Sequence, residues 1–102
     1  MAGCSESAPS SNDNYYQMME NVFVGHPRRS AIEPKINLVL RNFSRPVTNE
    51  TAGHVGSVLV AVRKSTGVPE MNLLDCVVGL GTSFQNDDLE RAVGLCGGAL
   101  AR

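Results

Sequence analysis

Three segments of the chain alternate between apolar and polar residues with a period of two. These segments are residues 35–41, 56–64 and 71–83. Because successive side chains of a β-strand point to opposite faces, this period predicts strands with one buried and one exposed face. The links between the segments are short, which favours an antiparallel meander over a parallel sheet.

The C-terminal part of the chain has a helical period instead. Asn86 is a favourable N-cap residue, and the acids Asp87 and Asp88 follow it in the first turn. An apolar stripe at helical spacing comes next, formed by Leu89, Ala92, Val93, Cys96 and Leu100. The sequence therefore predicts an α+β fold, an antiparallel β-meander sheet with a C-terminal helix packed on one face.

Residues 1–14 are small and polar, and we predict that they form a mobile arm. Residues 15–102 would then form a single domain, in which the segment from Tyr15 to Val24 is either a strand or a short helix. The apolar face of the predicted sheet is larger than one short helix can cover. A helix from a partner subunit would complete this core, so a homodimer is one option for a chain of this length.

The formal net charge is −1, so the molecule as a whole has no strong field that would attract nucleic acid or anionic lipid. The three cysteines are an odd number without metal-ligand spacing, which argues against a disulfide framework. Cys76 and Cys96 occupy apolar positions and are predicted to be free, buried thiols in a reducing compartment. We expect neither a signal peptide nor a membrane span.

The sequence contains no recognisable catalytic motif. His26 and His54 lie near neither a cysteine nor a pair of carboxylates at a known spacing. We therefore predict no enzyme activity, no metal and no cofactor. The polar face of the predicted sheet carries cations and amides that suit phosphates and base edges, although the same residues suit an ordinary solvent-facing strand. The residues of this face are Lys35, Asn37, Arg41, Ser57 and Arg63.

The order of these elements resembles that of the coat proteins of single-stranded RNA bacteriophages. The stretch Lys35–Arg41, with the sequence KINLVLR, is similar to the family's first central strand, and the stretch Leu73–Leu100 is similar to its last strand and first helix. The resemblance covers residues 35–100. The chain departs from the family in its lack of a second C-terminal helix and in a shorter or absent N-terminal hairpin.

The resemblance implies a capsid protein that dimerises, assembles into an icosahedral shell and contacts single-stranded RNA through its sheet. Its location would be the virion, after assembly in the cytoplasm of the bacterial host. The RNA-facing residues that it implies are Lys35, Asn37, Arg41, Ser57 and Asp75, and the polar-face pattern adds Arg63. The alternative function is a small phage or bacterial protein-binding module, an inhibitor or adaptor, without RNA-binding activity.

Overall fold

The structure, a computed structural model, describes residues 7–80 and 88–102, with side chains from residue 15 onwards. Within these residues the chain forms five α-helices and no β-strand. The helices are α1 (Ser7–Val22), α2 (Arg29–Asn42), α3 (Asn49–Thr66), α4 (Glu70–Gly79) and α5 (Leu89–Leu100). The arm predicted over residues 1–14 overlaps the first half of α1, and residues 1–6 lie outside the described part of the chain.

The predicted α+β fold with an antiparallel meander is therefore wrong, and the first alternating segment shows why. Residues 35–41 lie in α2, where the buried side chains are at helical spacing. These buried residues are Ile32, Ile36, Val39 and Leu40. Leu38, which the alternation assigned to the buried face, is 44% exposed, whereas Val39, assigned to the polar face, is buried. A run of aliphatic residues fits both periods, and tertiary packing selects the helical one.

The other two segments are helical as well. Residues 56–64 lie in α3 and residues 71–79 in α4, while residues 81–83 of the predicted third strand lie outside the described residues. The predicted N-cap residue Asn86 also lies outside them. The C-terminal helix is found where it was expected. Of its predicted apolar stripe, α5 buries Leu89, Ala92, Val93 and Cys96.

Side-chain and backbone signals define both ends of α3. At the N-terminus, the Thr48 hydroxyl accepts a hydrogen bond from the Thr51 backbone N–H, and the Thr51 hydroxyl accepts one from the Thr48 N–H. This reciprocal arrangement is a capping box, which satisfies two donors that the helix leaves unpaired. At the C-terminus, Gly67 adopts a left-handed conformation with φ of 81° and donates its N–H to the Arg63 carbonyl.

Helix α3 is the centre of the molecule. It contacts α1, α2, α4 and α5, and these four helices surround it in the order α1, α2, α4, α5, each touching the next. Among the described residues, α1 and α5 make no contact with each other. The ring around α3 is therefore open between its first and last members, and one long side of α3 is left without a covering helix.

A disulfide bond between Cys76 and Cys96 joins α4 to α5, with a Cα–Cα distance of 6.0 Å. The prediction that these two residues are free thiols is therefore wrong. Cys96 belongs to the apolar stripe of α5, Cys76 of α4 is partly buried against the core, and this spacing of Cα atoms permits a bond. The third cysteine, Cys4, lies outside the described residues.

The packing of α5 on α3 depends on Gly97. A Cβ atom on this buried glycine would collide with Cγ1 of Val62 and lie 3.2 Å from Cγ2 of Thr66. We expect Gly97→Ala to lower the free energy of unfolding by about 1 to 2 kcal/mol, because overpacking outweighs the gain of about 1 kcal/mol in helix propensity. The measurement is the midpoint of urea unfolding.

The neighbouring residue Gly98 supplies the control for this prediction. It is exposed, and a Cβ atom there would meet nothing within 4 Å. Gly98→Ala is expected to raise the free energy of unfolding by about 1 kcal/mol through helix propensity alone. Stabilisation by both substitutions would mean that α5 does not approach α3 as closely as described.

Candidate functional site

The open side of α3 contains a groove of about 400 Å³ between α1 and α3. Its walls are mostly apolar, and it is open to solvent along one side. The groove is lined by Met18, Met19, Val22, Phe23, Gly53, Gly56, Ser57, Val60, Ala61 and Lys64. Met18 is 49% and Val22 44% exposed, so large apolar side chains meet water at its rim.

Glycines in α3 determine how closely α1 approaches this groove. A Cβ atom on Gly53 would lie 2.5 Å from Cε1 of Tyr15, and one on Gly56 would lie 2.9 Å from Cε of Met19. Since real side chains do not tolerate such separations, α1 packs directly on the backbone of α3 at these two positions. Two of the positions at which α3 lines the groove consequently have no side chain.

The exposed residues of α3 form a single stripe along its open side. They are Glu50, Ser57, Ala61, Lys64 and Ser65. Glu50 and Lys64 lie seven residues before and after Ser57, which is two helical turns in each direction. The stripe therefore has a negative charge at one end, a positive charge at the other and small residues between them. Among the described residues, neither Glu50 nor Lys64 has a salt-bridge partner.

A buried polar cluster holds the C-terminal end of α1 beside the groove. The Glu70 side chain is 0% exposed, and its Oε1 accepts a hydrogen bond of 2.9 Å from the Val24 N–H. Its Oε2 lies 3.1 Å from Nη1 of Arg63, an ion pair without the geometry of a hydrogen bond. The same Nη1 donates to the Val22 carbonyl at 2.9 Å. Arg63 and Glu70 thus connect α3 and α4 to the end of α1.

The structure brings two of the predicted RNA-binding residues together, but as partners of each other. Lys35 on α2 forms a salt bridge with Asp75 on α4. Asn37, on another side of α2, accepts a hydrogen bond of 3.1 Å from the Tyr16 hydroxyl of α1. Consecutive helical residues are rotated by about 100°, so Lys35 and Asn37 do not share a face as they would in a strand.

The remaining predicted residues are distributed over two helices. Arg41 is exposed in the last turn of α2, Ser57 lines the groove on α3, and Arg63 pairs with Glu70. The predicted sheet through which these side chains would contact RNA is absent, because the described residues form no strand. RNA contact by the individual side chains stays a prediction.

The burial of the Tyr16 hydroxyl has a measurable consequence. Burial raises the pKa of Tyr16 from 10.0 to about 12, the charge of Glu33 raises it as well, and the charge of Arg29 lowers it. The folded state therefore holds this proton more tightly than the unfolded chain. The contribution of Tyr16 to stability is complete below about pH 10 and is lost as the pH rises towards 12.

A spectroscopic titration tests this prediction. Tyr15→Phe leaves Tyr16 as the only tyrosine, since the sequence contains two. The ultraviolet absorbance of tyrosinate in this variant is expected to rise with a midpoint near pH 12 while the helical circular dichroism is retained. A midpoint near the ordinary value of 10.0 in the folded protein would contradict the burial of the hydroxyl.

Metal-binding clusters and membrane-spanning helices are both absent from the described residues. These residues contain no group of three or more His, Cys, Asp or Glu side chains able to hold a metal ion. Within the same part of the chain, every helix is too short or too polar to cross a bilayer. The groove between α1 and α3 is the feature from which a function can be argued.

No protein-family model, curated protein or solved structure matches the chain. The coat-protein resemblance stays a prediction for this reason, and the geometry of the groove carries the functional argument.

The sequence reasoning missed the groove, although a signal for it is present. Gly53, Gly56, Ser57 and Ala61 recur at helical spacing between a threonine cap and a glycine stop. Such a row of small residues indicates a helix face that another helix approaches closely.

Proposed function

We propose that the protein is a helical protein-binding module that accepts one amphipathic α-helix of a protein partner in the groove between α1 and α3. The observation that carries this proposal is the uncovered side of α3, where an apolar groove coincides with the gap between α1 and α5. A helix laid in this gap would complete the ring of helices around α3. Helix-in-groove binding is a recurrent mode of peptide recognition.

The shape and charge of the groove determine which kind of helix can bind in it. Met18, Val22 and Val60 supply apolar contacts, so the bound helix needs small or apolar residues at spacings of three and four. The charges of Glu50 and Lys64 are 14 positions apart in the sequence, which is about 21 Å along a helix. A bound helix with a basic group near Glu50 and an acidic group near Lys64 would be favoured over one in the reverse orientation.

A protein partner suits this site better than a small molecule. Small-molecule pockets bury most of their ligand and place several polar groups around it. This groove is open along its length, and Lys64 is the only charged side chain among the described residues that line it. Its half-exposed Met18 and Val22 form an apolar rim of the kind found at protein interfaces.

Assembly of a capsid, with RNA binding and a virion location, stays a prediction that these observations do not support. The six residues that it required on one surface lie on α2, α3 and α4, and two of them neutralise each other as a salt bridge. The protein-binding alternative needs none of them to act on RNA.

Site-specific photo-crosslinking in cells that produce the protein tests the proposal. A benzophenone side chain placed at Ser57, in the groove, is compared with one at Leu95, which is 57% exposed on α5 and does not line the groove. We expect crosslinks from position 57 to map to one helical segment with small or apolar residues at spacings of three and four, and position 95 not to label it. Absence of crosslinks at position 57, or equal labelling from both positions, would overturn the proposal.

A further inference from the structure

We infer that the helix accepted by the groove is α3 of a second copy of this chain, packed antiparallel so that two molecules cover each other's open side. The inference rests on the proposed function and names its partner. The feature that leads to it is the symmetric placement of Glu50 and Lys64 about Ser57 along the exposed stripe of α3.

The charge pattern of the stripe is complementary to itself in one orientation. When two copies of α3 run antiparallel with their Ser57 residues opposite each other, each Glu50 meets the partner's Lys64. A parallel pair would place Glu50 against Glu50 and Lys64 against Lys64, which is repulsive. Both side chains are exposed and have no salt-bridge partner among the described residues, so each is available for the second molecule.

The size of the central residues fits the same arrangement. In the antiparallel register Ser57 lies opposite its own equivalent, and the exposed Ala61 follows about one helical turn from this point. Small side chains at these positions let two helix axes approach to the lower end of the usual range of about 8 to 10 Å. Such an approach brings the flanking residues of the first copy over the groove of the second.

The same antiparallel arrangement covers the apolar rim of the groove. Met18 and Val22 are 49% and 44% exposed, and both stand beside the stripe on α1. A two-fold axis through the Ser57 pair would place this rim of each molecule along the α3 helix of the other. The resulting interface is isologous, because the same patch is used on both sides, and it therefore closes at two copies.

Sedimentation equilibrium with exchanged charges tests the inference. The full chain is expected to sediment at twice its mass of 10.9 kDa. Glu50→Lys and Lys64→Glu each convert two attractive pairs of the dimer into repulsive ones, so each is expected to raise the dissociation constant about tenfold or more. An equimolar mixture of the two variants is expected to form heterodimers as tightly as the original protein, because every pair is again of opposite charge.

A control variant and a check of folding show whether the change in the dissociation constant is specific to Glu50 and Lys64. Asn72→Lys changes the charge on an exposed position of α4, away from the stripe, and is expected to leave the dissociation constant unchanged. Circular dichroism establishes that each variant keeps its helical content. A monomer at millimolar concentration, or a dimer that neither single exchange weakens, would overturn the inference.

The outcome also separates this inference from the proposed function. If the protein is a monomer but position 57 crosslinks to a helix of another protein, the groove is a binding site and only the identity of the partner is wrong. If it is a monomer and position 57 crosslinks to nothing, both are overturned. Crosslinks from position 57 to the α3 helix of a second copy support both.

Discussion

Arg63→Ala is expected to lower the free energy of unfolding by about 3 kcal/mol, one of the two largest effects in this domain. The substitution leaves the Glu70 carboxylate, which is 0% exposed, without the guanidinium that lies 3.1 Å from its Oε2. Breaking a buried ion pair by removal of one partner typically costs about 3 to 5 kcal/mol, and the partial exposure of Arg63 favours the lower end. The Val22 carbonyl also loses its side-chain donor.

Urea unfolding monitored by circular dichroism measures this effect, with two comparisons. Arg91→Ala removes an exposed cation of α5 and is expected to change the free energy of unfolding by less than about 0.5 kcal/mol. Combining Arg63→Met with Glu70→Met is expected to recover most of the loss, because the isolated buried charge is removed as well. Equal destabilisation by Arg63→Ala and Arg91→Ala would show that the ion pair is not formed.

Removal of the disulfide is expected to have a similar effect, about 3 kcal/mol. The bond joins residues separated by 20 positions, and a closed loop of this length restricts the unfolded chain by about that amount in the chain-entropy account. The replacement of Cys76 and Cys96 by alanine lowers the unfolding midpoint, and so does a reducing agent acting on the original protein.

The combination of reductant and variant identifies the origin of this effect. The Cys76→Ala, Cys96→Ala variant is expected to show the same midpoint with and without reductant, since the bond is already absent. A midpoint of the original protein that does not respond to reductant would contradict the link between α4 and α5. Mass spectrometry of the unreduced peptides containing Cys76 and Cys96 provides a direct check of the bond.

The sequence predicted individual elements better than it predicted the fold. The stripe of α5 was visible because Leu89, Ala92, Val93 and Cys96 recur only at helical spacing. In α2 the run from Ile36 to Leu40 fits two periods, and Ile32, four residues earlier, is the apolar position that favours the helix. The alternating segment 35–41 has seven residues and does not include Ile32. The period of an element can be determined reliably only from a longer segment.

The composition of α3 also argues against a helix. Its interior contains Gly53 and Gly56, which lower helix propensity. Both glycines are explained by the close approach of α1, a contact that no local pattern contains. The cap at Thr48 and the stop at Gly67 were local signals for this helix.

The candidate site depends on which helices pack together, and the sequence alone does not show this. Ser57 was selected as an RNA contact and lies in the groove, but for a different reason from the one that selected it. Met18 and Val22 are ordinary members of an apolar cluster in the sequence, and their exposure follows from the gap between α1 and α5. The pairing of Cys76 with Cys96 likewise depends on the packing of two helices, which spacing alone does not determine.

The bond between Cys76 and Cys96 also keeps the chain covalently connected when a peptide bond between these two residues is cleaved. Together with the intervening backbone it closes residues 76–96 into a covalent ring, which contains the whole connection from α4 to α5. Hydrolysis of one peptide bond in this ring opens it without releasing a fragment. A protein clipped between residues 80 and 88 would migrate as one species on a non-reducing gel and separate into two pieces only after reduction.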